Sequence, residues 1–216
     1  MKDLYNIFES VFDMDSNKEF DDKYISGKSS AEIQWMLKNS HPKAASELER
    51  IINEYCKKYG WDSDLNWIDV SCIEDMSYLF YDTPKFNGDI SKWDVSNVTD
   101  MTNMFTNTQF NKNISEWDTS NVKNMSFMFY GSAFNKDIKD WNVSNVEDMD
   151  CMFKDSKFNQ SISKWDVSNV KVMIGMFANS HFNQDISKWD INKVQHMFNM
   201  FKYSSLEKNP PKWYKK

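Results

Sequence analysis

Apolar residues recur in this chain on a period of 24 positions, and within each period they fall in two short runs. The first run is Ile-x-x-Trp-x-Val: Ile90, Trp93 and Val95, then Ile114, Trp117 and Thr119, then Ile138, Trp141 and Val143. It continues as Ile162, Trp165, Val167 and Ile186, Trp189, Ile191, and Leu65, Ile68, Val70 anticipate it. Trp and Val two residues apart share one face of an extended segment while their neighbours point to the other, so this run predicts a short strand. The second run is Val98, Met101, Met104 and Phe105, whose spacings suit one face of a helix. Ser96 stands where it can cap the first turn, and Asp100 suits the positive end of the helix dipole. Met125/Met128/Phe129, Met149/Met152/Phe153, Met173/Met176/Phe177 and Met197/Met200/Phe201 repeat the arrangement. Each period thus predicts strand, turn, short helix and return loop.

A fixed period in the twenties means one small unit stacked several times. Trp93, Trp117, Trp141, Trp165, Trp189 and Trp213 mark the register, and residues 68–92 form an earlier copy with Ile68 in place of Trp. That copy carries one extra residue between Phe80 and Phe86, where Pro84 marks a turn. The spacing of the first run is that of leucine-rich repeats, with Trp at the middle position. The predicted fold is an α/β solenoid of about six strand-helix coils resembling leucine-rich repeats, spanning roughly 29 Å at about 4.8 Å per parallel strand. One coil alone leaves half of each large side chain in water. Between neighbours each Trp hides about 150–250 Å², worth at most about 4–6 kcal/mol. Thioethers select soft metals, yet each Met here recurs at core spacing beside Phe, so the stripe reads as packing.

Asparagines recur as well. Asn97, Asn121, Asn145 and Asn169 precede the second run, and Asn87, Asn111, Asn135, Asn159 and Asn183 follow the loop Phe. In a stack, equivalent turn residues lie over one another, so these amides are expected to bond the backbone of adjacent coils. The last copy departs from the pattern: Leu206 replaces the loop Phe, Pro210-Pro211 interrupts, and Trp213-Tyr214-Lys215-Lys216 follows. That is the expected character of a capping coil.

Residues 1–62 show no such period and are expected to form a separate helical unit beside the repeats of residues 63–216. Leu4, Ile7, Phe8 and Val11 predict one amphipathic helix, and Ser29-Ser30 before Ile33, Met36 and Leu37 predict a second. Ala44, Leu48, Ile51, Ile52, Tyr55 and Tyr59 predict a third, ended by Gly60. This part is expected to cap the first coil, with an independent binding module as the alternative. Asp13-x-Asp15-x-Asn17-x-Glu19-x-Asp21 resembles the start of a calcium-binding EF-hand loop. Lys18 occupies the place of the required glycine and Tyr24 that of the bidentate glutamate, so the loop reads as solvated and no metal is expected.

Composition narrows the function. The formal charge is −6 with 40% hydrophobic residues, enough for a continuous core, and no basic stripe exists to neutralise phosphates. Nucleic acid is therefore not an expected partner. No run is long enough to span a membrane, and Met1-Lys2-Asp3-Leu4 leads into an amphipathic pattern rather than a signal core, so the expected location is cytoplasmic or virion-associated, with the cell surface only by another export route. Cys56, Cys72 and Cys151 are irregularly spaced and read as reduced thiols. His41, His181 and His196 pair with no nucleophile by pattern, and neither a glycine-rich phosphate loop nor a zinc-spaced cluster is present. No enzyme activity and no cofactor are expected.

The run from Phe158 to Phe177, Phe-Asn-x-x-Ile-Ser-x-Trp-Asp-Val-Ser-Asn-Val-x-x-Met-x-x-Met-Phe, resembles the repeat of BspA-like proteins. These are leucine-rich-repeat-like proteins of bacterial surfaces, and the same repeat is common in mycoplasmas. The resemblance covers residues 68–205 and implies a non-catalytic adhesion or protein-binding repeat. It transfers no site residues, because the matching positions are the core ones. The opening Leu4-Tyr5-x-Ile7-Phe8-Glu9 resembles small proteins of large gut bacteriophages, which implies a structural or accessory role as the alternative. An enzyme with a site near Trp61 and Trp67 is the remaining alternative. A partner surface is expected at the positions flanking Trp, namely Lys92, Asp94, Glu116, Asp118, Asp140, Asn142, Lys164, Asp166, Lys188 and Asp190.

Overall fold

The computed structural model describes residues 45–215. The first two expected helices, the Asp13–Asp21 loop and His41 lie outside them. The third expected helix is present as α1, Ala45–Tyr59. Leu48, Ile51, Ile52 and Cys56 lie on one face and are buried. Lys57 and Lys58 occupy the last turn, at the negative end of the dipole. Gly60 takes φ +104°, a conformation few side chains tolerate, and its N–H returns to the Cys56 carbonyl at 2.9 Å to close the helix. Tyr55 on α1 meets Trp67 with ring centroids 5.1 Å apart, which ties the helix to the start of the repeats.

From Trp61 onward the chain is a succession of turns. In the coil of residues 93–116 and just before it, N–H groups close turns from Trp93 to Ile90 (3.2 Å), Val98 to Val95 (2.9 Å), Met104 to Met101 (3.2 Å) and Thr106 to Asn103 (3.2 Å). Aspartates brace three of the corners. The carboxylates of Asp89, Asp94 and Asp100 accept the N–H two residues on, from Ser91, Ser96 and Thr102, at 2.8–3.1 Å. Where the pattern predicts a strand at residues 93–95 and a helix at residues 98–105, the backbone therefore runs through turns instead. The reason lies in the spacing. Ile90, Trp93, Val98, Met101 and Met104 stand mostly three apart, and i→i+3 turns satisfy that spacing as well as a helix does. A helix of two turns carries a nucleation cost, and here side-chain acceptors and the next coil take its N–H groups.

The segment expected to be helical is the one that joins the coils through the main chain. Met101, Asn103, Phe105 and Asn107 donate N–H groups to the carbonyls of Asn124, Ser126, Met128 and Tyr130 at 2.8–3.0 Å. The same four positions repeat in the next coils, ending with Met173, Gly175, Phe177 and Asn179 on His196, Phe198, Met200 and Lys202. Parallel bridges link Asp75, Asp100, Asn124, Asp148, Val172 and His196 in one column. Two positions per coil take positive φ, as the third residue of a type II turn requires. They are Asn103 and Asn107, Phe127 and Gly131, Cys151 and Asp155, Gly175 and Asn179, Asn199 and Tyr203. Gly131 is doubly constrained, because a Cβ there would stand 2.4 Å from Asn107 Oδ1.

Side chains join the coils elsewhere. The indole N–H of each repeat Trp donates to a carbonyl of the coil before: Trp117 to Ile90, Trp141 to Ile114, Trp165 to Ile138 and Trp189 to Ile162, all at 3.0–3.2 Å. This is why the middle apolar place holds Trp rather than Leu: a ring of that size fills the core, and its indole N–H gives the Ile carbonyl a second donor from the next coil, beside the turn N–H it already accepts. The asparagines form the expected columns. Asn111, Asn135, Asn159 and Asn183 each donate N–H to the carboxamide oxygen of the Asn one coil earlier, at 2.9–3.0 Å. Asn97, Asn121, Asn145 and Asn169 donate to serine carbonyls of the preceding coil at 2.7–2.8 Å. Phe105, Phe129, Phe153, Phe177 and Phe201 stack nearly parallel with centroids 5.5–5.9 Å apart, and the core is one continuous cluster.

Candidate partner-binding face

The positions flanking each Trp all reach solvent. Lys92, Asp94, Glu116, Asp118, Asp140, Asn142, Lys164, Asp166, Lys188 and Asp190 are exposed while the Trp between each pair is buried. The two columns differ in what they do. The residue after Trp belongs to the backbone as much as to the surface: Asp94, Asp118, Asn142, Asp166 and Asp190 each accept the N–H two residues on at 3.0–3.1 Å. Hydrogen bonds from Ser120, side chain first and then main chain, hold the Asp118 carboxyl below its usual range, and Ser168 does the same for Asp166. The residue before Trp has no such duty. Lys92, Glu116, Asp140, Lys164 and Lys188 therefore carry the freely variable part of the ladder, and its sign runs positive, negative, negative, positive, positive.

The negative stretch coincides with a recess. Residues 113–119 and 137–142 line an open cavity of about 670 Å³ between two neighbouring coils. Glu116, Asp118, Asp137 and Asp140 set four carboxylates around it against the single ammonium of Lys139. Lys139 lies 2.7 Å from Asp137, which lowers the Asp137 carboxyl and raises the lysine. It approaches Asp140 only to 3.9 Å. The recess also marks two substitutions in the repeat. Thr119 stands where other coils have Val or, in one, Ile191, and its buried hydroxyl donates to the Asn142 carbonyl at 3.0 Å. Asn142 stands where they have Asp.

The groups that carry chemistry elsewhere are dispersed. Burial pushes the Cys56 thiol up to about 11 and Cys151 up to about 12, so neither is a thiolate at neutral pH. Cys72 is exposed, and none of the three cysteines is in a disulfide. His181 and His196 sit exposed on different coils. Near the expected junction, Tyr55 is raised chiefly by burial, with Trp67 packed against it. Among the described residues no group of three acidic, histidine or cysteine side chains converges as a metal site would require. No helix among them is long and apolar enough to cross a membrane.

A second concavity has no counterpart in the sequence reading. It occupies about 470 Å³ at the outer side of the last coil, between residues 195–202 and the segment holding Glu207, Tyr214 and Lys215.

A family described as "Mycoplasma protein of unknown function, DUF285" matches residues 47–157 and, in a second overlapping match, residues 132–216. Searches among curated proteins and among solved structures returned no match.

Proposed function

The chain belongs to the DUF285 family, a repeat family of Mycoplasma proteins of unknown function, and from its resemblance to BspA-like repeats and its exposed repeat face we propose that it is a non-catalytic protein-binding scaffold of the adhesion type. The observation that carries this reading is the acidic recess at Glu116 and Asp140, set in a rigid stack whose surrounding Trp-flanking residues are all exposed. Stacked coils hold such a face at fixed spacing, which lowers the ordering cost of binding. Four carboxylates favour a basic segment of a protein and disfavour phosphate backbones, so the partner is a protein rather than nucleic acid. The same reading places the stack among solenoids of the leucine-rich-repeat kind, as a variant in which both halves of the coil have relaxed into turns.

The test separates surface charge from folding. Glu116 and Asp140 brace no turn, whereas Asp94, Asp118 and Asp166 do, so the informative variant is Glu116→Lys with Asp140→Lys. A partner is captured by the wild-type protein, purified, and titrated against both proteins. We expect the double variant to unfold at the wild-type urea concentration and to bind at least tenfold more weakly, with Lys92→Glu as the unaffected control. Equal affinity of the double variant excludes the recess.

A further inference from the structure

We propose that Lys139 is a tethered competitor inside the acidic recess, an ammonium of this chain's own that a partner's basic side chain must displace, so that this one residue sets how tightly the recess binds. This rests on the reading of the recess as a docking site for a basic segment, and adds its regulation. Before Trp93, Trp117, Trp165 and Trp189 stand Ser91-Lys92, Ser115-Glu116, Ser163-Lys164 and Ser187-Lys188. Before Trp141 stands Lys139-Asp140. The lysine is thus one place earlier than Lys92, Lys164 and Lys188, and a carboxylate fills the place where they stand.

That step changes what the ammonium reaches. The turn itself uses only the main chain at this position. Asp89, Asn113 and Asp185 accept the N–H of Ser91, Ser115 and Ser187 at 2.9–3.1 Å, and Asp137 accepts that of Lys139 at 3.0 Å in the same way. What Lys139 adds is a second bond, from its Nζ to the other oxygen of Asp137 at 2.7 Å. The side chain therefore folds back over its own turn and lays its charge in the recess, 3.9 Å from Asp140.

The remaining carboxylates show what a partner can still reach. Asp118 gives one oxygen to the Ser120 N–H at 3.0 Å, and Asp137 is engaged at both. Glu116 meets only the Ser115 hydroxyl, at 3.2 Å, and Asp140 faces the cavity with Lys139 nearby. An incoming cation is drawn to Glu116 and Asp140 and repelled by the ammonium beside them. The two side chains of the Lys139–Asp137 pair are 49% and 50% exposed, so water competes for both and the pair can open. A contact of that kind favours its closed state by up to about fivefold, and the apparent affinity of the recess falls by the fraction that is closed.

The probe is the blocked hexapeptide acetyl-Lys-Ser-Lys-Ser-Lys-Ser-amide, titrated into the intact 15N-labelled protein and read at the amides of Thr119 and Asn142, which line the recess. Lys139→Ser installs the residue that four other coils carry, so it should unfold at the wild-type urea concentration. It should bind the peptide about two- to fivefold more tightly, as should Lys139→Gln, while Lys139→Arg keeps the competitor and should bind as the wild type does. Lys136→Ser removes the same charge from an exposed place in the same coil, outside the recess, and should stay within about 1.5-fold of wild type. The proposal is overturned if Lys139→Ser and Lys139→Gln bind no more tightly than wild type, or if Lys136→Ser gains as much as they do. Glu116→Lys with Asp140→Lys keeps two failures apart. If that variant loses about tenfold while the Lys139 variants gain nothing, the recess stands and only the competitor falls. If it loses nothing, or if the peptide binds neither wild type nor Lys139→Ser, both fall.

Discussion

The two halves of each coil are held to their neighbours by different atoms. On the Trp half the links between coils are side chain to main chain: the indole N–H on the preceding Ile carbonyl, and the asparagine amides on serine carbonyls. On the Met half they are main chain to main chain: Met101, Asn103, Phe105 and Asn107 donate to the coil that follows, and Thr99 donates back to Glu74 of the coil before at 2.8 Å. The consequence is visible in which positions vary. The indole place is Trp in six successive repeats, because no other side chain supplies both the bulk and the donor. The first positive-φ place of the ladder holds Tyr78, Asn103, Phe127, Cys151, Gly175 and Asn199, because there the backbone makes the bond and the side chain is nearly irrelevant to it. Identity is kept where a side chain bonds or is buried, as at Trp141, Met149 and Phe153, and is lost at the ladder place where only the backbone bonds.

The largest expected effect comes from breaking the Trp half. Trp141→Ala removes a buried ring and the indole donor to the Ile114 carbonyl, which keeps only the Trp117 N–H at 3.3 Å, and it should cost about 3–5 kcal/mol in urea unfolding. Trp141→Phe keeps most of the bulk and isolates the hydrogen bond, so a loss of about 1–3 kcal/mol is expected. If Phe proves neutral, the indole donor is not what holds the halves together.

A smaller effect belongs to the asparagine column. Asn135 Oδ1 accepts both the Asn159 N–H at 2.9 Å and the Gln160 amide at 3.0 Å. Asn135→Ala strands both donors and should cost about 1–2 kcal/mol. Hydrogen exchange at Asn159 should quicken, while the amides of the Met ladder stay protected.

The smallest change has the opposite sign and lies in the ladder half. Asp148 holds the Asp150 N–H at 2.8 Å, as Asn124 holds Ser126 one coil earlier at 2.9 Å. Burial, with the charges of Asp150 and Asp100, raises the Asp148 carboxyl above its usual range. An acid whose folded pKa is raised destabilises the folded state once it ionises, so the penalty grows as pH climbs from its unfolded value, near about 4, through the folded one. Asp148→Asn keeps the turn bond without the charge. It should stabilise the protein at pH 7 by about 1 kcal/mol or less, and the gain should vanish below about pH 4. Asp118 and Asp166 have lowered carboxyls, and their contribution runs the other way, present at neutral pH and lost as pH falls through the folded values.

The Trp period, the asparagine columns, the insertion before Phe86 and α1 are all legible in the chain, since each is a matter of spacing between residues of one kind. So is the exposure of the Trp-flanking positions. Their division of labour is not legible. Nothing in Lys-Trp-Asp says that the Asp closes a turn while the residue before Trp is free, because the hydrogen bond depends on the path of the next two residues. The recess depends on Asp137 and Lys139 of one coil facing Glu116 and Asp118 of the one before.

The sequence alone determined what is buried, because burial follows from side-chain chemistry repeated at a fixed interval. Only the tertiary structure decided how the backbone runs between those buried points and where its hydrogen bonds go. Apolar positions three apart suit a helix and a chain of turns equally. The choice fell to turns because alternate N–H groups in the Met half find carbonyls in the next coil at 2.7–3.1 Å, partners that no local pattern records.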